Sequence, residues 1–578
     1  MTDKKHLTAG GIVEDQPLQV MFVMALLVGI IGGLGAWAFR MLIGLVHNVL
    51  FLGEFQFHYD ANVFDSISPW GPGVILVPVV GALAVAFLVK TFAPEAKGHG
   101  VPEVMDAIHY NQGLIRPRVA VVKSIASAIS IGSGGSVGRE GPIIQIGSAF
   151  GSMIGQIIAM PARQRITLIA AGSGAGIAAT FNAPLGGVVF AIELLLLSVS
   201  AGNILLVAVA TVTATYIGRL LLGATPSFNI PPLQLPDFHV EQAWGLLLFL
   251  PLGAIMGLVC VIFIRGLYWA EDRFDEMPGN YYTRHALGML CVGIMIYALL
   301  VFSGHYYVEG VGYSTIVAIL EGVLSNPWFL ALLLVLKLLA TCLSLGSGAS
   351  GGVFSPSLYM GAATGATFGY VAHALLPSLE IGIPAFAIAG MAAAIGGSTG
   401  AVLTGIVMIS EMTRDYNSIL PVILTVASAY ATRKLIMRES VYTMKLLRRG
   451  HMVPEGLQSA ISAAKRVQDA MMSDFDVIQK GEAHKPGRLA LVVDDRQIIG
   501  VAPSLGELEA QDHLEALLPF IMVHEEMPFI EAVRRLTEAQ AKAIVVTKHA
   551  ETMELDDVTG ILTESEIAAL VGQEALLL

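Results

Sequence analysis

The chain has 578 residues, of which 55% are hydrophobic and only 13% charged, and its mean hydropathy is +0.70. Water-soluble domains carry roughly 25% charged residues, so this composition excludes an ordinary soluble protein and assigns the chain to a lipid bilayer. A formal net charge of −12 also excludes a nucleic-acid footprint.

In chain order, residues 1–17 form a short segment with Lys4 and Lys5, and the first apolar run follows from Leu18 to Phe39. It is too long for a signal-peptide core and lacks a cleavage pattern, so it reads as a retained spanning helix. Further runs extend over Val74 to Phe92, Ala243 to Ile264, Leu287 to Phe302 and Trp328 to Leu345. Several reach the roughly 20 residues that a crossing helix needs. Others are shorter and broken by Gly or Pro, which lipid tolerates only where the freed backbone is buried or lines a polar cavity. Cys260, Cys291 and Cys342 lie inside apolar stretches and read as small buried side chains. Gly172 to Gly176, with Glu193 about 20 residues later, mimics a dinucleotide fingerprint, but its membrane-like surroundings assign those glycines to close helix packing.

Basic residues gather again at Arg433, Lys434, Arg438, Lys445, Arg448 and Arg449. With Lys4 and Lys5 they place both termini in the cytoplasm. Hydrophobicity stops near Leu447, so the expected division is a membrane domain over 18–450 and a soluble domain over 451–578.

The membrane part repeats itself. Lys123 to Gly155 aligns without a gap on Lys337 to Gly369 at an offset of 214, and Ala171 to Glu193 aligns on Ala389 to Glu411 at an offset of 218. Lysine meets lysine, Pro142 meets Pro356, Gly147 meets Gly361 and Glu193 meets Glu411. Two homologous halves, about 18–223 and 242–447, with broken helices are a transporter pattern that puts the site between the repeats.

Three loops share one design: Gly98-His99-Gly100-Val101-Pro102, Gly138-Arg139-Glu140-Gly141-Pro142 and Gly352-Val353-Phe354-Ser355-Pro356. Each runs from glycine to a proline that opens an apolar segment, which marks a helix start. A helix N-terminus presents unpaired N–H groups and about half a positive charge, so three converging starts attract an anion without burying a cation. These loops resemble the three signature motifs of the CLC family of chloride channels and chloride/proton antiporters, and GREGP is a complete match. The resemblance covers the whole chain. It implies an all-α polytopic membrane fold of two inverted repeats with broken helices, a homodimer in the cell (inner) membrane, and one anion pathway per subunit.

The resemblance assigns Glu140 as the gating carboxylate, which competes with the anion and moves aside on protonation. It assigns the backbone of Val353 and Phe354, the loop of His99 and Gly100, and the hydroxyl of Tyr442 to chloride. Arg139 is either an ion attractant near the pathway or a structural partner for a carbonyl. His99 stands where the family usually has serine, so its ring either donates an N–H to the ion or turns away and leaves the backbone to bind. Family exchangers commonly carry two adjacent carboxylates after the FNAPL stretch, here Phe181 to Leu185; this chain has Glu193 followed by Leu194, which cannot relay a proton. The expectation is therefore passive chloride conduction, with coupled chloride/proton exchange as the alternative and a membrane-anchored sensor as a third reading. An enzyme is not expected, since no metal cluster or nucleophile–base spacing stands out.

From about Arg466 onward, apolar strands alternate with amphipathic helices in two similar units, which resemble a small α/β CBS-like pair. That likeness suggests Thr563 and Glu566 as contacts for an adenine nucleotide, with Pro503 and Ser504 as the poorer equivalent in the first unit. No cofactor is expected to be required.

Overall fold

The computed structural model describes residues 5–8, 11–197, 199–223, 243–451, 453, 466–480, 482, 488–494, 497–502, 517–527, 529–548 and 555–567. Pro503 and Ser504 lie outside them. The chain divides into two compact units, residues 1–457 and 458–578.

In the first unit a small antiparallel hairpin, β1 (Lys5–Thr8) and β2 (Gly11–Glu14), precedes the helices. The first half comprises α1 (Leu18–His47), α2 (Val77–Phe92), α3 (Val101–Tyr110), α4 (Arg118–Gly132), α5 (Glu140–Ile157), α6 (Ala162–Phe181), α7 (Pro184–Leu194) and α8 (Ala201–Leu222). The second comprises α9 (Ala243–Leu247), α10 (Phe249–Glu276), α11 (Tyr281–Ser303), α12 (Tyr313–Leu320), α13 (Pro327–Ser347), α14 (Phe354–Leu375), α15 (Ile383–Thr399), α16 (Val402–Thr413), α17 (Ile419–Ile436) and α18 (Val441–Leu447). Among the described residues, seven helical segments are long and apolar enough to cross a membrane, and α7, α15 and α16 are apolar but shorter.

The repeat seen in the sequence is a repeat of contacts. A Cβ added at Gly147 on α5 would lie 2.1 Å from the Gly172 carbonyl oxygen on α6, and at the matching Gly361 on α14 it would lie 2.4 Å from the Gly390 oxygen on α15. Glycine thus lets each pair of backbones touch. The two halves also exchange groups reciprocally. Glu193 at the end of α7 accepts from the N–H groups of Leu403 and Thr404 at the start of α16, at 2.9 and 2.8 Å. Glu411 near the end of α16 accepts from Leu185 and Gly186 at the start of α7, at 3.2 and 2.9 Å. Equivalent helices that cap each other in this way run in opposite senses, so the halves are inverted.

The second unit holds two three-stranded mixed sheets. β3 (Asp476–Gln479) runs parallel to β4 (Ala490–Asp494), which runs antiparallel to β5 (Gln497–Ala502). β6 (Phe520–His524), β7 (Ala543–Thr547) and β8 (Val558–Thr563) repeat that order, with α19 (Phe529–Glu538) between β6 and β7. The likeness of the two sheets fits a CBS-like pair.

Gly147→Ala forces α5 and α6 apart and costs about 1–3 kcal/mol of overpacking, whereas Gly35→Ala on α1 meets nothing within 4 Å. Gly147→Ala is expected to lower the melting temperature of the detergent-solubilised protein, and Gly35→Ala to leave it unchanged.

Candidate functional site

The three glycine-rich loops meet in the middle of the first unit. Gly138 and Gly352 form an antiparallel bridge, each N–H donating to the other's carbonyl at 2.7 and 2.6 Å. Gly98 bridges to Ser350, its N–H donating to the Ala349 carbonyl at 3.0 Å. At Gly141 an added Cβ would sit 2.1 Å from the His99 carbonyl oxygen and 2.9 Å from the Gly352 Cα, so only glycine admits the close approach of all three loops. Gly100 has φ +86° and sits immediately before α3, a left-handed conformation that favours glycine.

This junction positions Glu140, which is fully buried. As the first residue of α5 it reaches across to the start of α14. Its Oε2 accepts from the backbone N–H of Ser355 at 3.2 Å, and the Ser355 hydroxyl lies 2.5 Å from both carboxylate oxygens. Tyr313, the first residue of α12, donates its hydroxyl to Oε1. A carboxylate taking a backbone N–H at a helix N-terminus holds the position that an anion would take there. Gly138 leaves room for it, since a Cβ there would lie 2.5 Å from Oε2.

Arg139 is buried beside the same group. Its Nε is 4.0 Å from Glu140 Oε1 without making a hydrogen bond, and its guanidinium lies 5.0 Å from the centre of the Tyr313 ring. Val353 and Phe354 are buried at the start of α14, where Val353 is the cap and Phe354 the first helical residue. Tyr442 is buried on α18, and its ring centre is 6.4 Å from that of His99. Tyr268 steadies α18 by donating its hydroxyl to the Val441 carbonyl at 2.5 Å. The His99 Nδ1 is buried with no hydrogen-bond partner among the described residues. On the His99 side, a 620 Å³ cavity is lined by Glu95, Lys97, Glu103, Gln145, Lys445 and Arg449 among others.

The geometry separates the remaining predicted residues from this site. Leu194 is buried and apolar. The Glu193 carboxylate also accepts the Thr404 hydroxyl at 2.8 Å and is held as the cap of α16. In the second unit Thr563 and Glu566 come together, but with each other. The Thr563 N–H donates to Glu566 Oε2 at 2.8 Å and its hydroxyl to the same oxygen at 3.1 Å.

Two residues of the site escape the sequence reading. Ser355 stands inside a quoted motif without a role, and Tyr313 belongs to a fourth helix start, Gly310-Val311-Gly312-Tyr313. This loop is the repeat mate of Gly98-His99-Gly100-Val101. The proof is in the lysines: Lys123 donates to the carbonyls of Ala96 and Gly98 at 3.0 and 2.7 Å, and Lys337 to those of Val308 and Gly310 at 3.0 and 2.9 Å. The available signal was the second Gly-x-Gly, masked because Ser314 stands where the first loop has Pro102.

Losing a hydrogen bond to a charged group costs about 1.5–3 kcal/mol, which is on the order of tenfold or more in how often the carboxylate leaves α14. Tyr313→Phe and Ser355→Ala are each expected to raise chloride flux at neutral pH and to flatten its increase on acidification, measured in liposomes.

A family model described as voltage gated chloride channel matches residues 81–434. The H(+)/Cl(−) exchange transporter ClcA of Vibrio cholerae is 34% identical over 443 residues, which cover 75% of this chain and 90% of that protein. A putative chloride channel protein, ClcB-like, of Ralstonia nicotianae is 34% identical over 387 residues, covering 66% and 86%. Among solved structures, a slow cyanobacterial Cl−/H+ antiporter aligns with a TM-score of 0.65 at 27% identity, covering 75% of this chain and 98% of that one. A eukaryotic CLC transporter aligns with a TM-score of 0.63 at 20% identity, covering 95% and 98%, a likeness of fold alone.

Proposed function

Because this chain belongs to the CLC family of voltage-gated chloride channels and transporters, we propose that it exchanges chloride for protons across the membrane, with Glu140 as the group over which the two ions compete. The observation that carries this reading is the Glu140 carboxylate docked on the Ser355 N–H at the start of α14. A chloride entering that position must displace the carboxylate, and a proton taken up by the carboxylate removes its charge and its reason to stay. One group thereby answers to both ions.

Passive conduction, expected from Leu194, gives way to the alternative. Relatives that match three quarters of this chain are named as exchangers, and a missing second carboxylate limits how protons arrive rather than whether Glu140 accepts them. Since Glu193 is engaged at α16, the supply in this reading comes from the cavity that holds Glu95, Glu103 and Gln145. Gln145 lies on α5, the helix that Glu140 begins, and its buried Oε1 has no hydrogen-bond partner among the described residues.

Chloride on the cavity side meets His99, Gly100 and Tyr442, with Val353 and Phe354 contributing backbone N–H groups nearer Glu140, and Arg139 adds positive potential beside it. Cytoplasmic placement of both termini and assembly as a homodimer belong to the same proposal. Exposed apolar residues on α7, α8, α16 and α17, among them Leu185, Leu220, Leu403 and Leu420, offer a surface for a second copy. The C-terminal unit is assigned a structural role, because Glu566 is already engaged by Thr563.

In liposomes loaded with chloride, chloride leaving the vesicle is expected to drive protons inward against a pH gradient, read with a pH-sensitive dye. Chloride flux without proton movement would restore passive conduction. Glu140→Gln is expected to keep chloride flux and abolish the coupled proton movement. His99→Ser is expected to change the ratio of chloride to nitrate flux; an unchanged ratio would assign that end of the site to the backbone alone.

A further inference from the structure

A second set of ionisable side chains is buried away from Glu140. His47 ends α1, Asp65 lies between α1 and α2, and Glu309 lies just before α12. The His47 Nε2 is 3.3 Å from Asp65 Oδ1 and its Nδ1 is 3.4 Å from Glu309 Oε1. One potential ligand atom from each residue lies within 4.8 Å of the other two.

Three buried polar atoms here lack a hydrogen bond of ordinary geometry among the described residues. His47 is 1% exposed and Glu309 8% exposed. Neither carboxylate oxygen of Glu309 has a hydrogen-bond partner among the described residues, and neither does the His47 Nε2. The Lys337 ammonium donates to the carbonyls of Val308 and Gly310. Phe51 stacks on the imidazole at 4.9 Å and Tyr59 lies against it at 4.4 Å, so the ring is held in place. A buried and a half-buried carboxylate face opposite nitrogens of one imidazole, and a buried carboxylate that lacks full pairing is costly unless a cation meets it.

We propose that His47, Asp65 and Glu309 bind a divalent transition-metal ion of the zinc class. One imidazole nitrogen and two carboxylate oxygens are donors that such an ion accepts, with a fourth position left for water; Asp65 and Glu309, which face opposite nitrogens of the ring here, turn to one of them to take it. Magnesium and calcium demand six or more oxygens and suit this set poorly. Asp65 is partly exposed and provides the route from solvent. The bound ion ties the end of α1 to the segment Glu309 to Tyr313, which sets the Tyr313 hydroxyl against Glu140.

Titration calorimetry of the full-length protein in detergent with zinc chloride tests this. Wild type is expected to bind zinc and to gain thermal stability from it, with magnesium failing to compete. His47→Gln and Asp65→Asn are each expected to weaken binding at least as much as the 10–100-fold typical of lost outer partners, and to remove the thermal gain. Asp65→Asn alters a partly exposed loop residue, so it keeps the test readable if His47→Gln fails to fold. Absence of zinc binding, or equal binding by wild type and Asp65→Asn, would overturn the site and leave a shared proton as the link between the carboxylates.

Discussion

Unpaired backbone groups are intolerable inside a bilayer, and the architecture of the first unit follows from meeting that demand where helices begin and end partway across. The two buried lysines take the carbonyls of the segments before α3 and α12. Glu193 and Glu411 take the N–H groups at the starts of α16 and α7. Ser440 and Thr443 close the start of α18 with a reciprocal capping pair. Ordinarily a buried ammonium or carboxylate carries a large desolvation cost. Here each makes two or more hydrogen bonds with backbone that would otherwise go unpaired, the lysines donating and the glutamates accepting, so charge and broken helix stabilise one another.

Against this symmetric frame the start of α14 stands out. Its N–H at Ser355 is met by a carboxylate from α5, and the repeat mate of that carboxylate is Phe354, which cannot return the interaction. The asymmetry continues in the neighbouring loops. His99 is matched by Val311, and Val101 by Tyr313, so the first half contributes the imidazole and the second half the phenol that donates to Glu140. The fold needs the symmetric groups in both halves, whereas the groups that differ gather around Glu140 and the loop of His99. Glu193 illustrates the distinction: a membrane-buried carboxylate invites a functional reading, yet its symmetric partner Glu411 does the same capping work at the other end.

Composition was enough to place the chain in a membrane, and glycine and proline spacing was enough to locate three helix starts and the internal repeat. Those properties are local: hydropathy is summed along the chain, and a Gly-to-Pro loop imposes its backbone conformation wherever it occurs. Glu140 was legible for the same reason, since it lies within such a loop. Tyr313 and Ser355 were not, because they act on Glu140 across 173 and 215 residues of sequence, and nothing in their neighbourhoods announces the partner. Glu193 was readable as a carboxylate but not as a cap, since its N–H donors lie 210 and 211 residues away. The sequence by itself thus determined the long apolar spans, the internal repeat and three of the helix starts. Only the tertiary structure decided which carboxylate caps the helix of the other half and which docks on the start of α14, because hydrogen-bond partnership depends on distance in space and not on separation along the chain.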